Sequence, residues 1–273
     1  AVRRIRAKEI SPVELTDAVL RRAEAVQNAC NAFITISYDV AQAEAKRAED
    51  AVMAGTDLGP LQGMPFTVKD LVNTADVKTT FGSHGFAANV PATDSIGIAR
   101  LRAAGAVLIG KTTTPEFGHK PMTEAPLFGR TLNPWDLTRT SGGSSGGAGV
   151  AAATGLGPLH VGTDGGGSTR IPAAACGVVG MKQTLGRVPH DMTSDSFGCM
   201  SFIGPITRTV EDCGLMLDVM AGPHPSDVHS LGRDNPDLIG AARGDGDLMD
   251  IKIGWRRYLG NDRMEAETQA LFE

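Results

Sequence analysis

The segment from Ser141 to Arg170 reads SGGSSGGAGVAAATGLGPLHVGTDGGGSTR. Two turns made of glycine and serine, Gly142–Gly147 and Gly165–Ser168, are joined by an Ala-rich run and a short apolar run. Glycine at this density costs chain entropy, so such turns belong where backbone approaches another group closely. The run from Gly146 to Thr154 reads as a helix whose small side chains let it pack tightly. Leu159–Gly162 reads as a strand running through Thr163 and Asp164 into the second turn. Ser168–Ala175 then reads as a helix, with Pro172 in its first turns, where proline is tolerated. Such a strand–turn–helix junction converges backbone N–H groups on one point, and the helix dipole there favours negative charge. With a serine in each turn, the pattern suggests acyl-transfer chemistry.

The rest of the chain supplies a layered scaffold. Ser11-Pro12-Val13-Glu14 combines a capping serine, proline at the first helical position and glutamate three residues after the cap. Leu15, Val19, Ala23 and Val26 follow at helical spacing, and Ala41, Ala45, Ala48 and Val52 mark a second helix ended near Gly55. Short apolar strands are expected over Ala32–Ile36, Pro65–Val68, Ala106–Ile109, Val178–Lys182 and Ile251–Trp255. Helices are expected over Asp94–Ala104, Val210–Met220 and Met264–Phe272. Residues 74–91, 113–136 and 223–250 read as loops. Helices alternating with strands predict an α/β/α architecture around a mixed sheet, in one domain over 1–273.

Composition excludes several classes. A net charge of -5 gives no basic surface for nucleic acid. No apolar run reaches the roughly 20 residues that span a bilayer, and AVRRIRAKEISPVEL lacks the apolar core of a secretory signal. Cys30, Cys176, Cys199 and Cys213 form no CxxC pair, which favours buried free thiols over disulfides or zinc. No metal and no cofactor is expected, and the setting that fits is cytoplasmic.

Two lysines need separate readings. Lys69 ends the strand Pro65–Val68. A surface lysine paired to Asp70 is one reading; a buried lysine with a depressed pKa is the other, since a buried ammonium costs several kcal/mol, as an order of magnitude, unless paired or neutralised. Lys111 closes Gly105-Ala-Val-Leu-Ile-Gly110-Lys111-Thr112, which matches a phosphate-binding P-loop by letter. That loop must follow a strand and open a helix, and here the order is inverted, so nucleotide binding is set aside.

Gly142 to Arg170, continued by Ile171-Pro172-Ala173 and Cys176–Arg187, resembles the signature of the amidase signature family of serine amidohydrolases. Pro65–Asp70, Asn133-Pro134-Trp135 and Gly204–Asp212 extend the resemblance over most of the chain. It implies a Ser–Ser–Lys triad: Ser168 as nucleophile, Ser144 as bridging serine after a cis peptide from Gly143, and Lys69 as base. It implies an oxyanion hole from the N–H groups of Gly165, Gly166, Gly167 and Ser168, braced by Ser145, Asp164 and Arg170. On local sequence alone Ser144, Ser145 and Ser168 are equally readable as helix caps, and Arg170 as a surface residue. Departures from the family pattern are Thr169, Gln183 and Gly165, none of them in the triad.

The implied reaction is hydrolysis of a small-molecule carboxylic amide to carboxylate plus ammonia or amine, by a protein compatible with a homodimer. The alternative is the glutaminase component, or A subunit, of a tRNA-dependent amidotransferase, the one case that brings in a nucleic acid. Thr114-Pro115-Glu116-Phe117-Gly118 resembles the hydrolytic amidases more. Family members are longer, so the resemblance implies a fold incomplete at its C-terminus.

Overall fold

Ser11 caps the first long helix as its sequence predicts: its hydroxyl oxygen accepts the N–H groups of Val13 and Glu14, and proline follows it. The computed structural model describes residues 1–56, 58–191, 200–231, 237–244, 249–252, 254, 260 and 263–272. They fall in two units, Ala1–Ala242 and Arg243–Glu273.

A short helix α1 (Val2–Arg6), which the apolar pattern does not mark, precedes α2 (Pro12–Cys30). Next come β1 (Phe33–Ile36), α3 (Tyr38–Ala54), β2 (Pro65–Lys69), α4 (Ile96–Ala103) and β3 (Val107–Thr112). A two-stranded hairpin, β4 (Glu124–Ala125) with β5 (Gly129–Arg130), lies within the long loop. The chain then forms α5 (Gly146–Ala153), β6 (Leu159–Asp164), α6 (Arg170–Cys176), β7 (Val179–Gly180), β8 (Phe202–Thr207) and α7 (Val210–Met220). Two short helices, α8 (Leu238–Arg243) and α9 (Ala266–Phe272), follow.

Six strands form one mixed sheet in the order β1-β3-β2-β6-β8-β7. The inner strands β3, β2 and β6 run parallel; β1, β8 and β7 add antiparallel pairings at the flanks. Alternation along β3 divides the core: Leu108 packs with Phe66, Val68 and the α4 and α7 side chains Leu101 and Met216. Val107 and Ile109 pack with Val19, Ala23 and Val150 from α2 and α5. Successive residues of a strand face opposite ways, so helices cover both faces of the sheet.

Four readings need correcting. β3 runs on through Gly110, Lys111 and Thr112, paired to β2 on one side and β1 on the other. The run that mimics a P-loop is therefore the strand itself. β8 carries no clear strand signal because Gly204-Pro205 interrupts it, and proline is rare inside a sheet. α8 occupies part of the segment read as loop. Of the strand expected over 251–255, Ile251, Lys252 and Gly254 show no strand, and Ile253 and Trp255 lie outside the described residues. Cys30, Cys176 and Cys213 are buried free thiols; Cys199 lies outside the described residues.

Candidate active site

β2 and β6 pair in parallel, with Val68 opposite Val161, and so end at the same carboxyl edge of the sheet. Open α/β sheets place their ligand sites at this edge. Lys69 is the last residue of β2 and Asp164 the last of β6.

Lys69 is completely buried. Its Nζ lies 2.6 Å from Ser144 Oγ and 2.9 Å from Thr163 Oγ1. Burial pushes the ammonium well below the ordinary lysine range, against the opposing pull of the Asp164 carboxylate. Asp70 is not its partner. That carboxylate is also buried and accepts the Thr80 N–H, the Thr80 hydroxyl and the Gly82 N–H. The surface reading of Lys69 is thereby excluded.

The first glycine turn brings Ser144 to Lys69. The Gly143–Ser144 peptide bond is cis. A Cβ on Gly143 would stand 2.7 Å from the Met122 backbone nitrogen, so only glycine fits there. Ser144 is buried, and its hydroxyl meets the chain at Gly118, where an added methyl would come within 3.2 Å of Ser144 Oγ. Ser145 precedes α5 without capping it through its side chain. Its hydroxyl instead donates to the Thr163 carbonyl at 3.2 Å and accepts the Thr163 N–H at 3.2 Å. Its own N–H donates to the Ser168 carbonyl at 3.2 Å. One residue thus ties the first turn to β6 and to the second turn.

The second turn is braced by Asp164, which is buried. Its carboxylate accepts the Gly167 N–H at 2.7 Å and the Thr169 N–H at 3.2 Å. It also takes both arms of Arg170, Nε and Nη2, at 2.9 Å each. Burial works to raise this carboxyl, but the guanidinium and the backbone donors outweigh it and hold it at about 2. Arg170 is exposed on its outer side, yet its charge is matched by Asp164. The Gly167 N–H, expected among the oxyanion donors, is engaged by the same carboxylate. Gly165 and Gly166 are exposed, and nothing lies within 4 Å of where a Cβ on Gly166 would be. Ser168 is half-buried just beyond them, and α6 begins at Arg170 with Thr169, not Ser168, at its cap.

Three features escape the sequence reading. Thr163 is the second acceptor for Lys69, and a threonine ending an apolar strand carries no distinguishing signal. The close approach of Gly118 to Ser144 joins positions far apart in the chain. Lys111 is a second completely buried lysine, its Nζ donating to the Val72 carbonyl and to the hydroxyls of Thr74, at 2.7 Å, and Thr79, at 2.8 Å. Burial pushes it down to about 7, with Asp70 and Asp94 pulling the other way. Its position inside an apolar run was the available clue.

The geometry has counterparts among known proteins. Residues 14–273 match the family model described as Amidase. The chain is 41% identical over 267 residues to an acylamidase of Rhodococcus erythropolis, covering 98% of this chain and 56% of the relative. It is 43% identical over 262 residues to the A subunit of the glutamyl-tRNA(Gln) amidotransferase of Roseiflexus sp. strain RS-1, covering 96% and 53%. The crystal structure of a bacterial aryl acylamidase of the amidase signature family superimposes with a TM-score of 0.84 at 34% identity, over 88% of this chain and 50% of that one. The chain thus spans about half the length of the relatives it matches. With its mixed sheet, its two glycine–serine turns and this match over nearly its whole length, the chain belongs to the amidase signature family.

Proposed function

We propose that the protein hydrolyses a carboxylic amide through an acyl-enzyme on Ser168. The observation that carries the reading is the hydrogen bond between a completely buried lysine and Ser144, at 2.6 Å. A lysine forced toward its neutral form by burial offers a lone pair, and a neutral amine is a general base. Ser168 Oγ attacks the amide carbon while its proton passes to Ser144 Oγ, whose own proton passes to Lys69 Nζ. The negative charge on the former carbonyl oxygen falls to the N–H groups of Gly165 and Gly166, the two exposed glycines of the turn. Collapse breaks the C–N bond, and the proton returns through Ser144 to the leaving nitrogen. Water then attacks the acyl carbon by the same relay and frees Ser168 and the carboxylate.

Ser145, Asp164 and Arg170 act in this reading as braces: Ser145 ties the first turn to Thr163 and Ser168, and Asp164 with Arg170 holds the second turn. The buried free thiols support a reducing, cytoplasmic setting. Labelling with a fluorophosphonate followed by peptide mapping tests the mechanism. The adduct is expected on Ser168 and lost in Ser168→Ala; an adduct on another serine, or undiminished amidase activity in the variant, overturns it.

A second reading has its own support, because the chain resembles the amidotransferase component as closely as it resembles the acylamidase. There the same site would release ammonia from glutamine for transfer within an assembly. Copurification with a second protein chain, or activity dependent on aminoacyl-tRNA and ATP, would select it.

A further inference from the structure

Lys111 takes part in no step of the proposed reaction, yet it is completely buried, and an ammonium there costs a desolvation that an apolar side chain would not. Its three partners all act as acceptors. The Thr74 and Thr79 hydroxyls donate their own protons to the Val72 and Val77 carbonyls, at 3.2 and 3.5 Å, and so turn lone pairs to Lys111 Nζ. Together with the Val72 carbonyl they match the three N–H groups of an ammonium. The Asp70 and Asp94 carboxylates favour this cation, and the Arg102 guanidinium opposes it.

All three acceptors lie in the irregular segment that leaves β2, residues 70–82. Val72 is gripped at both ends: its N–H donates to the Lys69 carbonyl at 3.0 Å, and its carbonyl accepts Lys111 Nζ. Leu71, the residue before it, closes on Gly118. A Cβ on that glycine would come within 2.6 Å of Leu71 Cδ1 and 3.2 Å of Ser144 Oγ. At the far end of the segment, the Phe81 N–H donates to the Asp70 carbonyl at 3.1 Å, and the Phe81 carbonyl accepts the Phe117 N–H at 2.8 Å. Phe117 leads directly into Gly118. The segment therefore reaches Lys69 through the Val72 N–H, and Ser144 through Gly118.

We propose that Lys111 is a positioning residue for the acyl transfer: as an internal cation on β3 it fixes the segment after β2, and through Val72 and Leu71 it keeps Lys69 and Ser144 at hydrogen-bonding distance. This rests on the acyl-enzyme reading given above and deepens it. The run that mimics a P-loop thus ends on a lysine whose ligands are a carbonyl and two hydroxyls of its own chain, in place of phosphate. A misplacement of about 1 Å between reacting groups costs on the order of a hundredfold in rate, so a contact remote from the chemistry carries weight.

The test follows Ser168 labelling by an ethyl fluorophosphonate against pH, beside urea unfolding. Lys111→Met keeps an unbranched side chain and removes the three N–H groups. Its plateau rate is expected to fall about tenfold or more. Its ionisation is expected to move up, toward the ordinary lysine value of 10.5, because a loosened pocket desolvates Lys69 less and the Asp164 carboxylate still favours the ammonium. Leu20→Ala, a core truncation in α2, is the control: it lowers the urea midpoint and leaves rate and ionisation as they were. Thr79→Val removes one acceptor and decides the matter where Lys111→Met does not fold; a smaller fall and a smaller upward shift are expected, and Thr79→Ser should restore both. An unchanged rate, or a slower rate without the upward shift, overturns the positioning role and leaves the acyl-enzyme standing. Absence of Ser168 labelling in the unmodified protein overturns the acyl-enzyme reading, and the positioning role with it.

Discussion

In the proposed mechanism Lys69 has to be buried to serve as base, and hydrogen-bonded to be tolerated. Complete burial disfavours the ammonium, while Ser144 and Thr163 give the nitrogen two partners that a hydrocarbon pocket would not. The nitrogen reacts as a base only when neutral. Ser168 labelling should therefore rise with pH through a single ionisation well below the ordinary lysine value of 10.5 and then level off. In Thr163→Val an acceptor that favours the ammonium is lost, so the ionisation moves to lower pH and the plateau rate falls about tenfold, the worth of one hydrogen bond. Lys69→Ala should remove the pH-dependent limb altogether. Rate profiles of the three proteins check this, and an unchanged profile in Lys69→Ala would remove the lysine from the mechanism. Lys69 was visible in the sequence because an ionisable residue closes an apolar run. Thr163 was not, because threonine is ordinary in strands.

At the scale of elements, the site depends on a helix that is almost all backbone. α5 is nearly all Gly and Ala, and Gly147 lies so close to the sheet that a Cβ would strike the Ala32 carbonyl oxygen and stand 2.5 Å from the Thr113 nitrogen. Neither neighbour is a side chain that turns aside. Gly147→Ala should lower stability by about 3 kcal/mol or more, at the upper end of overpacking penalties. Gly166→Ala, with open space around its Cβ, should stay within about 0.5 kcal/mol of the unmodified protein. Urea unfolding of both variants reads the difference, and similar midpoints would refute the close approach. The density of glycine announced this contact in the sequence. What it touches follows from β1 and β3 being neighbours. The same limit explains β8, whose Gly204-Pro205 pair reads as a break until β6 and β7 are found pairing with it on either side.

For the whole molecule, buried titratable groups shape the dependence of stability on pH. His160, completely buried in β6 between the Thr67 hydroxyl and the Gly157 carbonyl, is pushed down to about 3 by burial. The unfolded chain binds a proton there near 6.5 and the folded chain does not, so this contribution is present above 6.5 and is lost as pH falls toward 3. Asp164, held at about 2, adds a loss of the same sign between its ordinary value of 3.8 and 2. Glu44 and Asp70, both raised by burial, act the other way in acid. His160 spans from 6.5 to about 3, wider than the 3.8 to about 2 of Asp164. His160→Gln, which keeps a hydrogen-bonding side chain, should flatten the decline of the urea midpoint between about pH 6.5 and 4, worth several kcal/mol as an order of magnitude in the unmodified protein. An equal decline in the variant would place acid sensitivity elsewhere.

The amino-acid order alone determined the local pieces: the Ser11 cap, the amphipathic helices, the strands ending at Lys69 and Asp164, and both glycine–serine turns. It carried the family resemblance too, because that signature is contiguous and rich in fixed letters. These are properties of neighbouring residues, set by backbone sterics, capping and apolar spacing. The tertiary structure decided which carboxylate belongs to which cation. Asp70, beside Lys69 in sequence, faces Thr80 and Gly82, while Asp164 takes Arg170 and the Gly167 N–H. It also decided that Lys111 is buried, and that Phe117 and Phe81, far apart in the chain, stack with their rings 6.4 Å apart. Each of these depends on strand order and on loops that cross between strands, contacts that no local pattern encodes.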